Sequence, residues 1–219
     1  MLQSNPLIFN KMKLKTFASI LALSLVTTAA SAANFSFTGN FEHDNDVQSF
    51  NFSVGAESTI SLRSWSYAGG VNAAGASIGR GGFDPILALF DSNGNFVAEQ
   101  DDAGCGLVDG DAVTSRCWDT FFTTTLAAGS YTATVQQYSN FANRPNLAAG
   151  FRFDGVANQN FRNGFRDSAS NQRDSHWAFD ILNVNDASIP GGEVPEPASL
   201  ALLGLGLAGL AAARRRKSA

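Results

Sequence analysis

"GGFDPILALFDSNGNFVAEQDD", Gly81 to Asp102, is the stretch whose reading decides the fold. Asp84-Pro85 leads into an apolar run, Ile86 to Phe90, that is short and continuous, as in a strand buried on both faces. "DSNGN" follows, and Asn93-Gly94 can adopt the positive φ angles of a tight hairpin turn. "FVAEQ" is then the return strand.

The same period continues on either side. "NFSFTGNF" places Phe35 and Phe37 on one face, and "SFNFSV" does so with Phe50, Phe52 and Val54. "STISLRSWSY" carries Ile60 and Leu62 on one parity and Trp65 and Tyr67 on the other, which predicts a bulge near Arg63 or Ser64. A Gly/Ala/Asn-rich loop spans roughly 68–82. Farther on, "DTFFTTTL" and "SYTATVQQY" are two strands joined by Ala127-Ala128-Gly129. Residues Ser139 to Ser175 are rich in Asn, Arg and Gly, with Phe151, Phe153, Phe161 and Phe165 among them, and read as a long loop or a pair of weak strands. "HWAFDILNV" closes the body with Trp177, Phe179 and Ile181 on one face. About eight or nine short strands separated by Gly/Asn/Asp turns predict an all-β fold, a β-sandwich or jelly-roll-like body over residues 33–190. Aromatic residues that alternate with polar ones are what half-buried strands require, so they read as core rather than as a ligand platform.

The two ends follow other rules. "MKLKTFASILALSLVTTAASAA" begins at Met12 with Lys13 and Lys15, continues through an apolar run from Phe17 to Val26, and reaches Ala30-Ser31-Ala32. That is the anatomy of a helical secretory signal peptide over residues 1–32, cleaved after Ala32, with Met12 a candidate true start. It implies the Sec translocon and signal peptidase as partners. At the other end, residues 191–219 hold Pro195-Glu196-Pro197, an apolar run from Ala198 to Ala213, and Arg214-Arg215-Arg216-Lys217. As a helix the apolar run is about 24 Å long, short against a hydrocarbon core of about 30 Å. A transmembrane-like helix of this length needs bilayer thinning or snorkelling arginines, with the basic end cytoplasmic.

Setting the ends aside changes the charge. The whole chain is −4, whereas residues 33–194 hold eight Arg, no Lys and eighteen Asp plus Glu, a formal charge of −10. A body this acidic repels phosphate backbones, which excludes nucleic acid as a partner, and attracts hard divalent cations. The only cysteines, Cys105 and Cys117, are expected to pair outside the cytoplasm. Closing a loop of about 13 residues corresponds to roughly 3 kcal/mol of chain entropy.

Candidate calcium ligands are Asp91, Asn93, Asp101, Asp102, Asp109 and Asp111, lying in and around the cysteine-bounded loop. The alternative is a solvated turn cluster, since Asp and Gly are ordinary turn formers. Gly94 is misplaced for an EF-hand, and Asp84 reads as turn or strand-start chemistry. "GASIG", Gly75 to Gly79, matches G-x-S-x-G with Ser77 as nucleophile, and Asp154, Asp167 and His176 follow in the order of an α/β-hydrolase. Its flanks are loop-like, where a nucleophile elbow needs a strand before and a helix after. His43 sits in a turn. Arg144, Arg152, Arg162, Arg166 and Arg173 either pair internally with the acidic loops or contact acidic exopolysaccharide.

The tail resembles the PEP-CTERM sorting signal of Gram-negative bacteria in Pro195, Glu196 and Pro197, the apolar run, and Arg214, Arg215 and Arg216. The resemblance implies an exosortase-type membrane transpeptidase, processing near the triplet, and delivery to the cell surface or extracellular matrix. The body, roughly Asn34 to Tyr138, resembles the bacterial pre-peptidase C-terminal domain in Asp84-Pro85, Gly94, Asp101-Asp102 and Ala128-Gly129-Ser130-Tyr131. That family is a secreted β-sandwich, generally an accessory or binding module. The expectation is therefore a non-enzymatic envelope or exopolysaccharide-matrix protein with a structural or binding role. A calcium-dependent glycan-binding or adhesion module and a secreted serine hydrolase stand as alternatives.

Overall fold

The structure, a computed structural model, describes residues 31–156 and 161–191. The signal helix, the PEP triplet, the apolar tail run and its arginines lie outside these residues. The strands are β1 (Ala33–Asn40), β2 (Val47–Val54), β3 (Ser58–Ser64), β4 (Gly70–Val71), β5 (Ser77–Ile78), β6 (Pro85–Asp91) and β7 (Phe96–Gln100). They continue with β8 (Phe121–Leu126), β9 (Gly129–Gln137), β10 (Phe165–Arg166), β11 (Gln172–Arg173), β12 (His176–Val184) and β13 (Asp186–Ser188). Nine of them form two sheets, in the orders β1-β12-β3-β8 and β13-β2-β9-β6-β7, with antiparallel pairings throughout. The remaining four make two-residue hairpins, β4 with β5 and β10 with β11.

The body is thus an all-β sandwich, and the alternating residues fill it as the period requires. Phe35, Phe37, Phe50, Phe52, Ile60, Leu62, Phe179 and Ile181 are buried between the sheets with Leu87, Leu89, Ala133 and Val135. Phe50 lies at the centre of an aromatic chain, 4.8 Å from the rings of both Phe37 and Phe179 and edge-on to Trp177 at 5.6 Å. These separations are those of favourable tilted and edge-to-face pairs.

β6 is buried on both faces, as its unbroken apolar run predicts. Leu87 and Leu89 enter the main core, while Ala88 and Phe90 face outward into a second cluster with Ala142 and Phe151. The Asn/Arg-rich segment after β9 therefore covers β6 from outside. It is anchored there by Phe96 N–H donating to the Pro145 carbonyl and by Ala142 N–H donating to Glu99. The hairpin turn forms at Asn93-Gly94, with Gly94 at φ +77°. Asp91 accepts from the Asn93 and Asn95 N–H groups at 2.8 and 2.9 Å, which pins the turn.

One expectation changes. The parity switch between Leu62 and Trp65 is not a bulge: β3 keeps an even register with β12 through Ser64, and Trp65 N–H continues it by donating to the Ala178 carbonyl. Trp65 instead lies on the outer face, where Arg63 stacks on it at 3.8 Å and its Nε1–H donates to Asp180 at 2.7 Å. Asp180, 1 % exposed, also accepts from Ser36 and Ala73, so an outward aromatic is held by a satisfied buried carboxylate. The long segment before β12 contains the weak strand pair β10–β11, and β13 is an additional edge strand.

Leu89→Ala is expected to lower stability by about 3 kcal/mol, through lost burial plus the cavity left behind. Thr123→Ala, on the exposed face of β8, loses only the hydroxyl contact with Ser61 at 2.9 Å and should cost no more than about 1 kcal/mol. Equilibrium urea unfolding followed by tryptophan fluorescence measures both.

Candidate metal centre

A hairpin that closes at Asn93-Gly94 must bring the start of its first strand beside the end of its second. The register pairs Leu87 with Gln100, so residues just before β6 and just after β7 share one end of the sheet. There Asp84, Asp101 and Asp102 each offer a carboxylate oxygen, all within 4.8 Å of one another. Asp84 is 8 % exposed, Asp101 is half-buried and Asp102 is exposed, so the group opens to solvent on one side. The main chain holds Asp84 in place: its carbonyl accepts the Tyr138 N–H at 2.8 Å. Among the described residues, Asp84 Oδ1 and Asp101 Oδ1 find no hydrogen-bond donor, and no cation pairs with the three.

Three carboxylates this close resist ionising together. Burial, reinforced by Asp102 and Asp101, pushes the Asp84 carboxyl up to about 9. Burial with Asp102 and Glu99 lifts Asp101 to about 6, and burial with Asp119 raises Asp102. Asp119 itself, 3 % exposed, is a fold carboxylate: it accepts from Ser64 Oγ at 2.8 Å and from the Tyr67 and Ala68 N–H groups at 3.1 and 2.8 Å.

The other residues considered for calcium lie elsewhere. Asp91 and Asn93 are at the turn end of the same hairpin, separated from Asp101 by the length of β7, roughly 17 Å at 3.4 Å per residue. Asp91 is occupied with the turn. Asp109 is exposed in the loop closed by the Cys105–Cys117 disulfide, which is formed as expected. Asp111 is buried and ion-paired: Arg80 grips it through Nε and Nη2 at 2.5 and 2.9 Å, with Arg173 Nη1 at 3.6 Å. Burial alone would raise the Asp111 carboxyl, but the Arg80 bonds and the Thr114 and Val113 N–H groups outweigh it and hold it far below the usual carboxylate range.

Arg173 is the hub of that network. It is 2 % exposed, stacks 3.4 Å from the centre of the Tyr67 ring, and donates from Nε to Asp167 at 3.0 Å and from Nη1 to the Tyr67 carbonyl at 3.2 Å. Among the described side chains of the five late arginines it is the one with an ion pair to an acidic residue. Arg144 lies over the Phe96 ring at 4.1 Å, Arg166 donates to the Ser170 carbonyl, and Arg152 is exposed. The side chain of Arg162 lies outside the described residues.

Among the described residues, no hydrogen bond joins Ser77 to His176. Ser77 belongs to the two-residue strand β5, with no helix after it. Both ring nitrogens of His176 are engaged, Nδ1 with Asp174 at 2.5 Å and Nε2 with the Gly79 carbonyl at 3.0 Å. Asp154 accepts the Phe151 N–H, and Asp167 serves Arg173 and Tyr67. His43 lies 3.9 Å from Asp46 within its turn.

Comparison with known proteins bears first on the tail. Residues 193–217 are a PEP-CTERM protein-sorting motif. A PEP-CTERM signal implies an exported protein, anchored at the membrane before exosortase processing. No curated protein matches the chain. The body is similar to the pre-peptidase C-terminal domain of a collagenase from Bacillus anthracis, at 11 % identity and a TM-score of 0.30, over 71 % of this chain and 90 % of that one. The assignment as a sandwich rests on the strand order and register above.

Asp84, which the sequence reading assigns to turn or strand-start chemistry, is brought beside Asp101 and Asp102. The signal was present: with the turn at Asn93-Gly94, counting back along both strands sets residues 84–86 beside 101–103. Asp119 offers no such cue, because its partners come from the end of β3 and the residues after it, more than 50 residues away.

Asp111→Asn is expected to cost about 3–5 kcal/mol at pH 7, because it leaves Arg173 buried with one partner fewer. A carboxyl held low in the folded state stabilises above its unfolded pKa of about 4 and loses that contribution as pH falls. The gap between wild type and variant should therefore narrow below about pH 4, as read from urea unfolding at stepped pH.

Proposed function

We infer that this is an exported, non-enzymatic component of the cell surface or exopolysaccharide matrix of a Gram-negative bacterium. The observation that carries the reading is the PEP-CTERM motif at residues 193–217, which follows a two-sheet β-sandwich in the chain. In this account the signal peptide directs the chain to the Sec translocon and is removed by signal peptidase. The tail run then holds the body outside the membrane, with its arginines in the cytoplasm. An exosortase cuts near Pro195-Glu196-Pro197 and releases the body to the matrix.

The sandwich suits that destination. Its charge of −10 without lysine keeps it hydrated and separate among like-charged neighbours. The disulfide ties the loop between β7 and β8, and the buried Arg173 network joins that loop to the β10–β11 hairpin. The non-enzymatic reading is supported by His176, whose two nitrogens are already engaged.

Intact-mass measurement in a host with an exosortase tests the sorting. The surface-released protein is expected to begin at Ala33 and end near Val194, and an exosortase deletion should leave the tail attached and the protein in the membrane fraction. An uncut tail in both strains contradicts the reading. A fluorophosphonate probe is expected to leave Ser77 unlabelled, and labelling there would reinstate the hydrolase.

A further inference from the structure

We propose that Asp84, Asp101 and Asp102 form a calcium site that ties the start of β6 to the root of the disulfide-closed loop. The inference is independent of the sorting account, since it concerns the body alone.

The first observation is convergence: three carboxylates from two chain segments bring oxygens within 4.8 Å of one another. The second is a buried group with an unmet need. Asp84 is over nine-tenths buried, yet its Oδ1 has no donor among the described residues, and Asp101 Oδ1 shares that condition. A buried unpartnered carboxylate oxygen is strongly unfavourable. Elsewhere in this body buried carboxylates are satisfied: Asp119 by three donors, Asp180 by three, and Asp111 by two arginines and the main chain. The Asp84 group departs from that pattern, and a cation meets the need that no side chain meets.

The donor chemistry selects the ion. The set is all oxygen, and both cysteines are committed to the disulfide, so soft and borderline metals have no thiolate or imidazole to bind. Each carboxylate offers one oxygen to the group, and the exposed Asp102 leaves room for water to complete a shell of six to eight. Mg²⁺ requires near-ideal octahedral geometry and retains its waters, which a half-buried carboxylate trio serves poorly. Extracellular calcium modules bind with Kd of about 10⁻⁴ to 10⁻³ M.

Asp102 is followed directly by Ala103, whose N–H donates to the Asp119 carbonyl at the far end of the disulfide loop. A cation on Asp102 therefore acts on both ends of that loop. Calcium would set the position of the loop rim, where Arg116 lies 5.6 Å from the Trp118 ring.

The test uses the full chain in detergent, after EGTA treatment and dialysis, titrated with CaCl₂ and followed by thermal melting and by calorimetry. At 10 mM Ca²⁺ and a Kd of about 10⁻⁴ M, Tm is expected to rise by roughly 5–10 °C and to saturate. Asp84→Asn and Asp101→Asn should each abolish the rise and the calorimetric heat, while Asp91→Asn keeps both. Near-UV circular dichroism in EGTA reports whether each variant folds, and either of the two suffices. No saturable rise in wild type overturns the proposal, as does a rise that persists in Asp84→Asn or is lost in Asp91→Asn. An equal or larger rise with MgCl₂ overturns the assignment to calcium.

Discussion

A strand whose two faces are both apolar has to be covered twice, and β6 imposes that requirement on the whole body. Leu87 and Leu89 call for an opposing sheet, supplied by β1, β12, β3 and β8. Ala88 and Phe90 call for a second cover, supplied by Ala142 and Phe151 from the segment after β9. The strand also needs neighbours on both edges, and β9 and β7 provide them. Much of the polar, irregular chain between β9 and β12 is thereby explained. Its composition suits a loop; Ala142, Leu147 and Phe151 lie where the outer face of β6 must be closed off from water, while Phe161 and Phe165 pack against the main core.

The same hairpin determines where charge gathers. Its turn end is quiet, because Asp91 spends its oxygens on the Asn93 and Asn95 amides. Its open end concentrates Asp84, Asp101 and Asp102, which have few donors to share. Elsewhere the acidic body neutralises itself locally. Arg173 and Arg80 draw Asp111 and Asp167 into a buried network stacked on Tyr67, which couples the disulfide loop to the β10–β11 hairpin. Two acidic clusters in one body thus have opposite characters, one satisfied by guanidinium groups and one whose Asp84 and Asp101 oxygens lack a donor among the described residues.

Local chemistry made much of this legible. Alternation identified the core faces of β1, β2 and β12, continuity identified β6 as doubly buried, and Asn93-Gly94 identified the turn. The cysteine pair followed from compartment, and the tail from three ordered features confirmed at residues 193–217. What escaped were contacts between residues far apart in sequence. Trp65 suggested a bulge because its outward partner, Asp180, lies 115 residues away. The calcium candidates span both ends of a hairpin, because residues close in sequence lie a strand's length apart. Asp111 resembled its acidic neighbours until Arg80 and Arg173 claimed it, and no local pattern announces a pairing over 31 or 62 residues.

Sorting and folding are divided between separate parts of the chain: the tail carries the address, and the body stands on the double burial of one strand. Amide hydrogen exchange on the full chain, read by mass spectrometry, tests that dependence most directly. The account predicts that amides of β6 and β9 exchange slowest, opening only with global unfolding, while those of residues 103–116 exchange orders of magnitude faster. Exchange of β6 at the rate of the disulfide loop, with β1 and β12 still protected, would contradict it.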